Sequence, residues 1–385
     1  WPFSAYWTSN SAARKMPPWP ADPISLPFQG DMNLSEQEID TIVAWVDQGA
    51  KFGNKEDLPA PKEFKTFEGG WRLGDPDVVL QPEVPFMVGG DVTDLYQCFQ
   101  FPFDVDHEVW LKGVEFQPGN TQVAHHFILF EDMGGTFPAL DAATPEPGCE
   151  CAEMDKIAGA RVVKMWAPGN TAPLSPVGVG EMLSPGKNLI LQAHYYNSTG
   201  IEQVDQSRVA LHIASPDEVI NKRMRLMLVS ANLLNIPAGA PHVEHEARAQ
   251  ALKDMTLYSV GVHMHLRGKS IGQWAVLPDT TDEIPMIWVP NYDFNWQLNY
   301  DFVEPMKAPT GTQFIMRSVH DNSADNPNNP DPTKDVKWGL YSADEMAFSG
   351  HYYTFDDEAL GVKPIVLSAE DIARLDVRQQ ESSTD

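Results

Sequence analysis

The chain has 385 residues, of which 42% are hydrophobic and 10% aromatic, and its formal net charge is −27. That length favours two or three domains over one, and the apolar content excludes a globally disordered chain. No apolar run reaches the roughly 18–20 residues that span a bilayer. The acidic excess repels phosphate backbones and anionic lipid, so neither nucleic acid nor a membrane span is expected.

The sequence opens at Trp1 without Met or a signal peptide, which reads as a processed chain or a piece of a longer one. Residues 1–70 differ from the rest. A Pro-rich stretch from Met16 to Met32 leads into LSEQEIDTIVAWVDQGAK. Ser35 as N-cap with Glu38 three residues on is a capping-box arrangement, and Ile39, Ile42, Val43 and Val46 recur at helical spacing. Gly49 stands where that helix should stop. Residues 52–70 read as a linker.

From there the texture is β. CFQFPF, EVWLKGVEF, VAHHFILF and LILQAHYY are short, aromatic or β-branched, and bounded by turn formers. SRVALHIA, LYSVGVHMHL, SIGQWAVL, MIWVP and TQFIMRSVH repeat the pattern. The 32 Pro and 27 Gly fit many turns. Strands without regular intervening helices predict two antiparallel sandwiches, over 71–203 and 204–358. His320 to Pro332 reads as a long loop, and 359–385 as a short helical tail.

Three cysteines occur, Cys98, Cys149 and Cys151, too few for a four-cysteine zinc site. One disulfide from Cys98 to Cys149 or Cys151 is expected, which fits an oxidising compartment. The 11 His are uneven. His263 and His265 form an HxH pair, which on a strand puts both rings on one face about 6.6–6.8 Å apart. His125 and His126 are adjacent and point to opposite faces of an ideal strand, so joint ligation requires a twist or bulge. His194 on LILQAHYY can complete a three-imidazole site, suited to copper and also to zinc. Met346 follows two acids instead of sitting in an apolar run, and a thioether beside two imidazoles favours Cu(I).

YQCF around Cys98, AHHFILF, WAPGN from Trp166, LQAHYYN, HMHLRGK, and DNSADNPNNP with WGLYSADEM follow one another in this order. On these motifs, over roughly residues 75–356, the chain resembles the copper type II, ascorbate-dependent monooxygenases, the peptidylglycine alpha-hydroxylating and dopamine beta-monooxygenase family. The resemblance implies two jelly-roll-like β-sandwiches with one copper each. It assigns His125, His126 and His194 to a copper that stores and delivers an electron. His263, His265 and Met346 go to a copper that binds dioxygen beside substrate, the two facing each other across a solvent-filled cleft. It implies ascorbate or a similar donor, possible delivery by an electron-donor protein, and conversion of a substrate C–H to C–OH. Gln192 takes a polar position on the path between the sites, and Tyr96 a supporting one. His107, His212, His242, His245, His320 and His351 have no ligand role.

Two positions depart from the pattern. The Arg and Tyr that hold a peptide carboxylate in the peptide-hydroxylating branch are here Gly261 and Gly350, so peptide amidation is not expected and the substrate stays open. The N-terminal stretch KMPPWPADP with its helix is similar to the C-terminal half of c-type cytochrome domains, with Met16 at the axial-ligand position. A Cys-x-x-Cys-His motif is missing from the sequence, so no covalent haem is expected. The expectation is a periplasmic or secreted dicopper monooxygenase acting on a small organic molecule. The alternatives are a structural or partner-binding protein that keeps the fold, and a zinc hydrolase using one histidine cluster.

Overall fold

A computed structural model describes residues 16–61, 67–144, 147–151, 159–171 and 173–376. Residues 1–15 of the expected first module and 377–385 of the expected tail lie outside the described residues. The chain is mainly β: two antiparallel sandwiches in tandem behind a short helical segment, as the sequence predicts. Among the described residues no helix is long and apolar enough to cross a membrane.

In the first sandwich one sheet runs in the order Val78–Leu80, Arg208–Ile213, Val109–Gln117, Val179–Leu183, Lys222–Arg223. The facing sheet runs Cys149–Glu150, Asp94–Phe101, Leu189–Tyr196, Ala124–Asp132, Ala160–Trp166. Strand alternation sorts the side chains. In Ala124–Asp132, Phe127 and Leu129 enter the core with Phe99, Phe116, Leu191 and Leu211. Ile128 and Phe130 join Tyr96 and Cys98 on the opposite face, which looks toward the second sandwich. Each such fully buried side chain is worth about 1.5–3 kcal/mol relative to exposure. One short pairing, Lys222–Arg223 with Val179–Gly180, is parallel and stands apart from the antiparallel rule.

The second sandwich pairs two four-stranded sheets. The first holds Arg225–Ser230, Ala347–Phe355, Met255–Met264 and Asn299–Ala308. The second holds Val243–Gln250, Gln313–His320, Gly268–Val276 and Ile284–Val289. Val260, Val262, Met264, Ile271, Met286 and Phe314 fill the core between them.

The structure redraws the edges of these units. Arg208–Ile213, placed by sequence in the second sandwich, pairs with both Val78–Leu80 and Val109–Gln117 in the first. Its Val209 and Leu211 belong to the first core, so that sandwich runs past the boundary drawn at 203/204. The helix Glu36–Asp47 has the expected reciprocal cap. Ser35 Oγ accepts from Glu38 N at 3.3 Å and Glu38 Oε2 accepts from Ser35 N at 2.8 Å. Gly49, at φ 88°, supplies the left-handed stop. The Pro-rich stretch before it lies on the second sandwich, where Phe28 bridges to Phe302 and Trp19 meets Tyr300 edge-on at 5.0 Å. Met16 sits beside Trp19, Met32 and Ile39. At the other end, the helix Ala369–Leu375 packs Leu375 into the first core, and Arg374 donates to the Asp104 carbonyl at 2.7 Å.

Of the two pairings left open, the disulfide joins Cys98 to Cys151, and Cys149 is a buried thiol opposite Cys98 in strand register.

His351 is fully buried against Gln273 Oε1 at 2.8 Å, and burial pushes its pKa down to about 4. The unfolded chain takes up a proton below about pH 6.5 that the native ring refuses, so stability is complete above that pH and declines toward pH 4. The loss from this residue alone is on the order of 3 kcal/mol at pH 4. Urea midpoints are expected to fall between pH 7 and pH 5; a flat profile would contradict the buried neutral ring.

Candidate metal centre

His126 and His194 stand opposite each other on neighbouring strands, on the outer face of the first sandwich. The register between those strands shifts between Ala124 and His126, a bulge at His125 of the kind that two adjacent histidines need to reach one point. Nδ1 of His126 lies 3.2 Å from Nδ1 of His125 and 3.2 Å from Nδ1 of His194. The three rings each offer a ligand nitrogen within 4.8 Å of the others. A tetrahedral ion with metal–nitrogen bonds of about 2.0 Å holds its ligands about 3.3 Å apart, so these nitrogens already sit at coordination spacing.

Neighbours fix which nitrogen faces inward. Asp94 binds His194 at Nε2, leaving Nδ1 to face the other rings. Tyr96 stacks on His194 with centroids 4.1 Å apart and planes 2° from parallel, and its hydroxyl donates to the Leu340 carbonyl at 2.7 Å. His125 stacks on Phe294 of the second sandwich at 4.2 Å.

The second set comes from the outward face of the second sandwich. Val260, Val262 and Met264 point into its core, so Gly261, His263 and His265 point out. Met264 pairs with Ala347 and His263 with Phe348, so Met346 follows opposite His265 on the same face. A buried carboxylate locks that arrangement: Glu345 Oε1 accepts from His265 N at 2.5 Å and Met346 N at 2.9 Å, while Oε2 accepts from Arg267 N at 3.0 Å. Nδ1 of His263 donates to Gln297 Oε1 at 2.5 Å, freeing Nε2. Among the described residues, the buried Nδ1 of His265 has no hydrogen-bond partner.

Burial is the main force on four of these rings. It holds His125, His126 and His265 well below the usual imidazole range and His263 at about 4, helped by neighbouring imidazoles. At neutral pH these four rings are therefore free bases, the form that binds metal. Burial of Glu345 acts oppositely on its carboxyl, raising it to about 7.

The two histidine sets are closer than the resemblance implies. The His126 and His263 ring centroids are 6.4 Å apart. Gln297 reaches from His263 to within 3.4 Å of His125 Nε2. His126, His263, His265 and Met346 border a cleft of about 790 Å³ between the sandwiches. Gln192 also lines it, but its side-chain amide donates to the Cys151 carbonyl at 3.1 Å, so it ties the disulfide hairpin to the strand carrying His194.

The remaining histidines have other partners: His107 meets Asp106, His242 meets Glu244, His245 meets His320, and His351 meets Gln273. His212 lies 4.0 Å from Glu115. Sequence reading missed Asp94, Gln297 and Glu345. Asp94 carried a usable signal, lying two residues before Tyr96 and hence on the same strand face.

No protein-family model matches the sequence, and no curated protein does. Among solved structures, the T13 IBDV viral particle aligns over 80% of this chain and 84% of that one, at 8% identity and a TM-score of 0.18. The infectious bursal disease virus VP2 subviral particle aligns over 72% and 79%, at 8% identity and a TM-score of 0.18. Dimeric latent PorU from Porphyromonas gingivalis aligns over 68% and 24%, at 11% identity and a TM-score of 0.17. Likeness at these scores carries no argument.

Proposed function

We propose that the chain is a copper-dependent monooxygenase that hydroxylates a C–H bond of a small organic molecule, as its resemblance to the ascorbate-dependent copper enzymes implies. The observation that carries this reading is the convergence of Nδ1 of His125, His126 and His194 at coordination spacing, next to a second imidazole pair that shares a face with Met346. Three nitrogen donors suit copper in both oxidation states, and two nitrogens with a thioether favour Cu(I). His125, His126 and His194 would hold one ion, and His263, His265 and Met346 the other. Copper, when bound, supplies the one-electron and dioxygen chemistry, with ascorbate or a similar small donor, or an electron-donor protein, as reductant.

The protein's own groups do the rest. Asp94 keeps His194 in the tautomer that turns Nδ1 inward, and Tyr96 fixes that ring by stacking. Gln297 holds Nδ1–H of His263 and sets the separation between the two sets. Glu345 fastens the backbone of Met346 to that of His265. The buried position of the rings excludes water from their nitrogens and keeps protons from competing for them. The Cys98–Cys151 disulfide supports a periplasmic or secreted location.

Metal analysis with oxygen uptake tests the reading. Two coppers per chain and ascorbate-dependent oxygen consumption coupled to a hydroxylated product are expected. Zinc in both sets, with no copper uptake, would remove it in favour of a hydrolase. Oxygen consumption that stays uncoupled from product across a substrate panel would favour a structural or partner-binding protein. His194→Ala is expected to weaken copper at the three-histidine set by more than the roughly 10–100-fold typical of losing a partner behind a ligand, while leaving the second set loaded. Titration of copper into the variant, followed spectroscopically, checks this, and simultaneous loss of both ions would contradict the partition of ligands.

A further inference from the structure

The floor of the cleft between the sandwiches is the outward face of the sheet that carries His263. Across its middle, Leu228, Gly350, Gly261 and Asn299 stand opposite one another on four neighbouring strands. On this same face the next cross-strand pair toward the metal set is His263 with Phe348. Two adjacent glycines in the interior of a sheet weaken it by about 0.5–1 kcal/mol each, so a bare pair calls for a reason.

Backbone geometry supplies only part of one: the Gly261 strand shifts register between Leu257 and Gly261, a bulge, whereas Gly350 lies in regular register with Leu228. Neither glycine has a left-handed φ, and the nearest backbone atoms to a built Cβ, Leu298 O at 3.7 Å for Gly261 and Met227 O at 4.0 Å for Gly350, stand at ordinary contact distance. A Cβ built on Gly261 would have Asn299 Oδ1 as its nearest atom at 3.5 Å, ordinary contact distance. On Gly350 the nearest would be Leu228 Cδ2 at 3.2 Å, the end of a flexible side chain. Gly119 and Gly148, by contrast, are forced, because backbone atoms stand within 2.6 Å of any Cβ there. The space over Gly261 and Gly350 is therefore room left in the cleft rather than room the fold consumes. A strand glycine of that kind marks a place where a ligand comes close to the backbone.

The slot's surroundings define the chemistry it accepts. Leu226, Leu228 and Phe348 border it from the floor, and Ile128, Val162 and Trp166 face it from the first sandwich. Among the described residues the charged side chains lining the cleft are Lys164, Arg248 and Asp301. All three are engaged. The Lys164 ammonium lies over the Tyr352 ring at 3.9 Å, and Arg248 donates to Glu246 at 2.7 Å. The Asp301 carboxylate accepts from Asn299 and feels the Lys164 charge. Each already has a partner within the protein for which a ligand carboxylate or ammonium would have to compete, and bringing such a group into an apolar slot without a partner costs several kcal/mol.

We propose that the Gly261–Gly350 slot takes the apolar body of an uncharged small organic molecule, aromatic or branched-aliphatic, and lays it beside His263 and Met346. This names the substrate class and rests on the reading of that set as the reacting centre, but binding to the slot can be read without turnover. A cleft of about 790 Å³ holds such a molecule with space to spare.

The test is a fluorescence titration of the full chain, without reductant, using the uncharged fluorophore N-phenyl-1-naphthylamine. One saturable site is expected, weakened by about tenfold or more in Gly261→Val and in Gly350→Val. Leu252→Ser, at an exposed position outside the cleft, is expected to bind as the parent does. If the valine variants do not fold, Gly261→Ala adds one methyl at ordinary contact distance and is expected to weaken binding by about two- to threefold. Unchanged affinity in a folded Gly261→Val overturns the proposal. So does binding of 1-naphthylacetate or 1-naphthylmethylamine about tenfold tighter than 1-methylnaphthalene. Slot binding that persists in a protein showing no ascorbate-dependent oxygen uptake would uphold the slot while removing the oxygenase reading.

Discussion

Met346→Ala is expected to keep the metal of the three-histidine set and lose hydroxylation by about 100-fold or more. The thioether belongs to one set only: Met346 directly precedes Ala347, which pairs with Met264 between His263 and His265, on the far side of the seam from His125, His126 and His194. Met346 is half-buried at the cleft edge, so truncation is expected to cost the fold only about 1–2 kcal/mol, less than at a packed core Met. Copper stoichiometry after dialysis, product formation and thermal unfolding measured on one preparation separate these effects. Loss of both ions would mean that the sets are not independent. Full retention of activity would mean that the sulfur is only a packing atom.

Glu345→Ala is expected to be the more damaging change to the molecule. Three backbone N–H groups, of His265, Arg267 and Met346, end on this one carboxylate, which is fully buried. Orphaning a buried donor costs about 1–3 kcal/mol, so a total on the order of 3–5 kcal/mol is expected, with a fall in Tm on the order of 10 °C. Glu345→Gln keeps an acceptor oxygen and should lose about half as much. Copper affinity should drop at the His263–His265–Met346 set before it changes at the other, because only the former rests on this carboxylate. A thermal scan of the two variants with metal titration reads both outcomes, and an unshifted Tm in the alanine variant would rule out the clamp.

Much of the fold was legible because its strands announce themselves. Leu189–Tyr196 and Gln313–His320 are apolar enough on both faces to be recognised without partners. Val243–Gln250 was not. Its outward positions are Glu244, Glu246, Arg248 and Gln250, and its inward ones include only Ala247, Ala249, Val243 and His245, so an edge strand reads as a polar linker. The 203/204 boundary failed for a related reason. Arg208–Ile213 has the same texture as any neighbour, and only its partner strands say which sandwich owns it.

The histidines were visible because ligand types cluster in sequence, and the need for a bulge at His125 followed from strand geometry alone. Gln297 was invisible because its role depends on the approach of two domains, which no local pattern encodes. The same holds for Glu345, whose value lies in backbone groups from a distant turn. The closeness of the two imidazole sets also came from packing across the seam, with Phe294 seated on His125.

The ends of the chain each serve the half to which they are not adjacent. Phe28 and Ala21, from the beginning, complete the interior of the later sandwich, and Leu367 and Leu375, from the end, complete that of the earlier one. A cut at the junction would therefore yield two pieces, each missing part of its filling. Each half is expected to be less stable alone than within the whole chain.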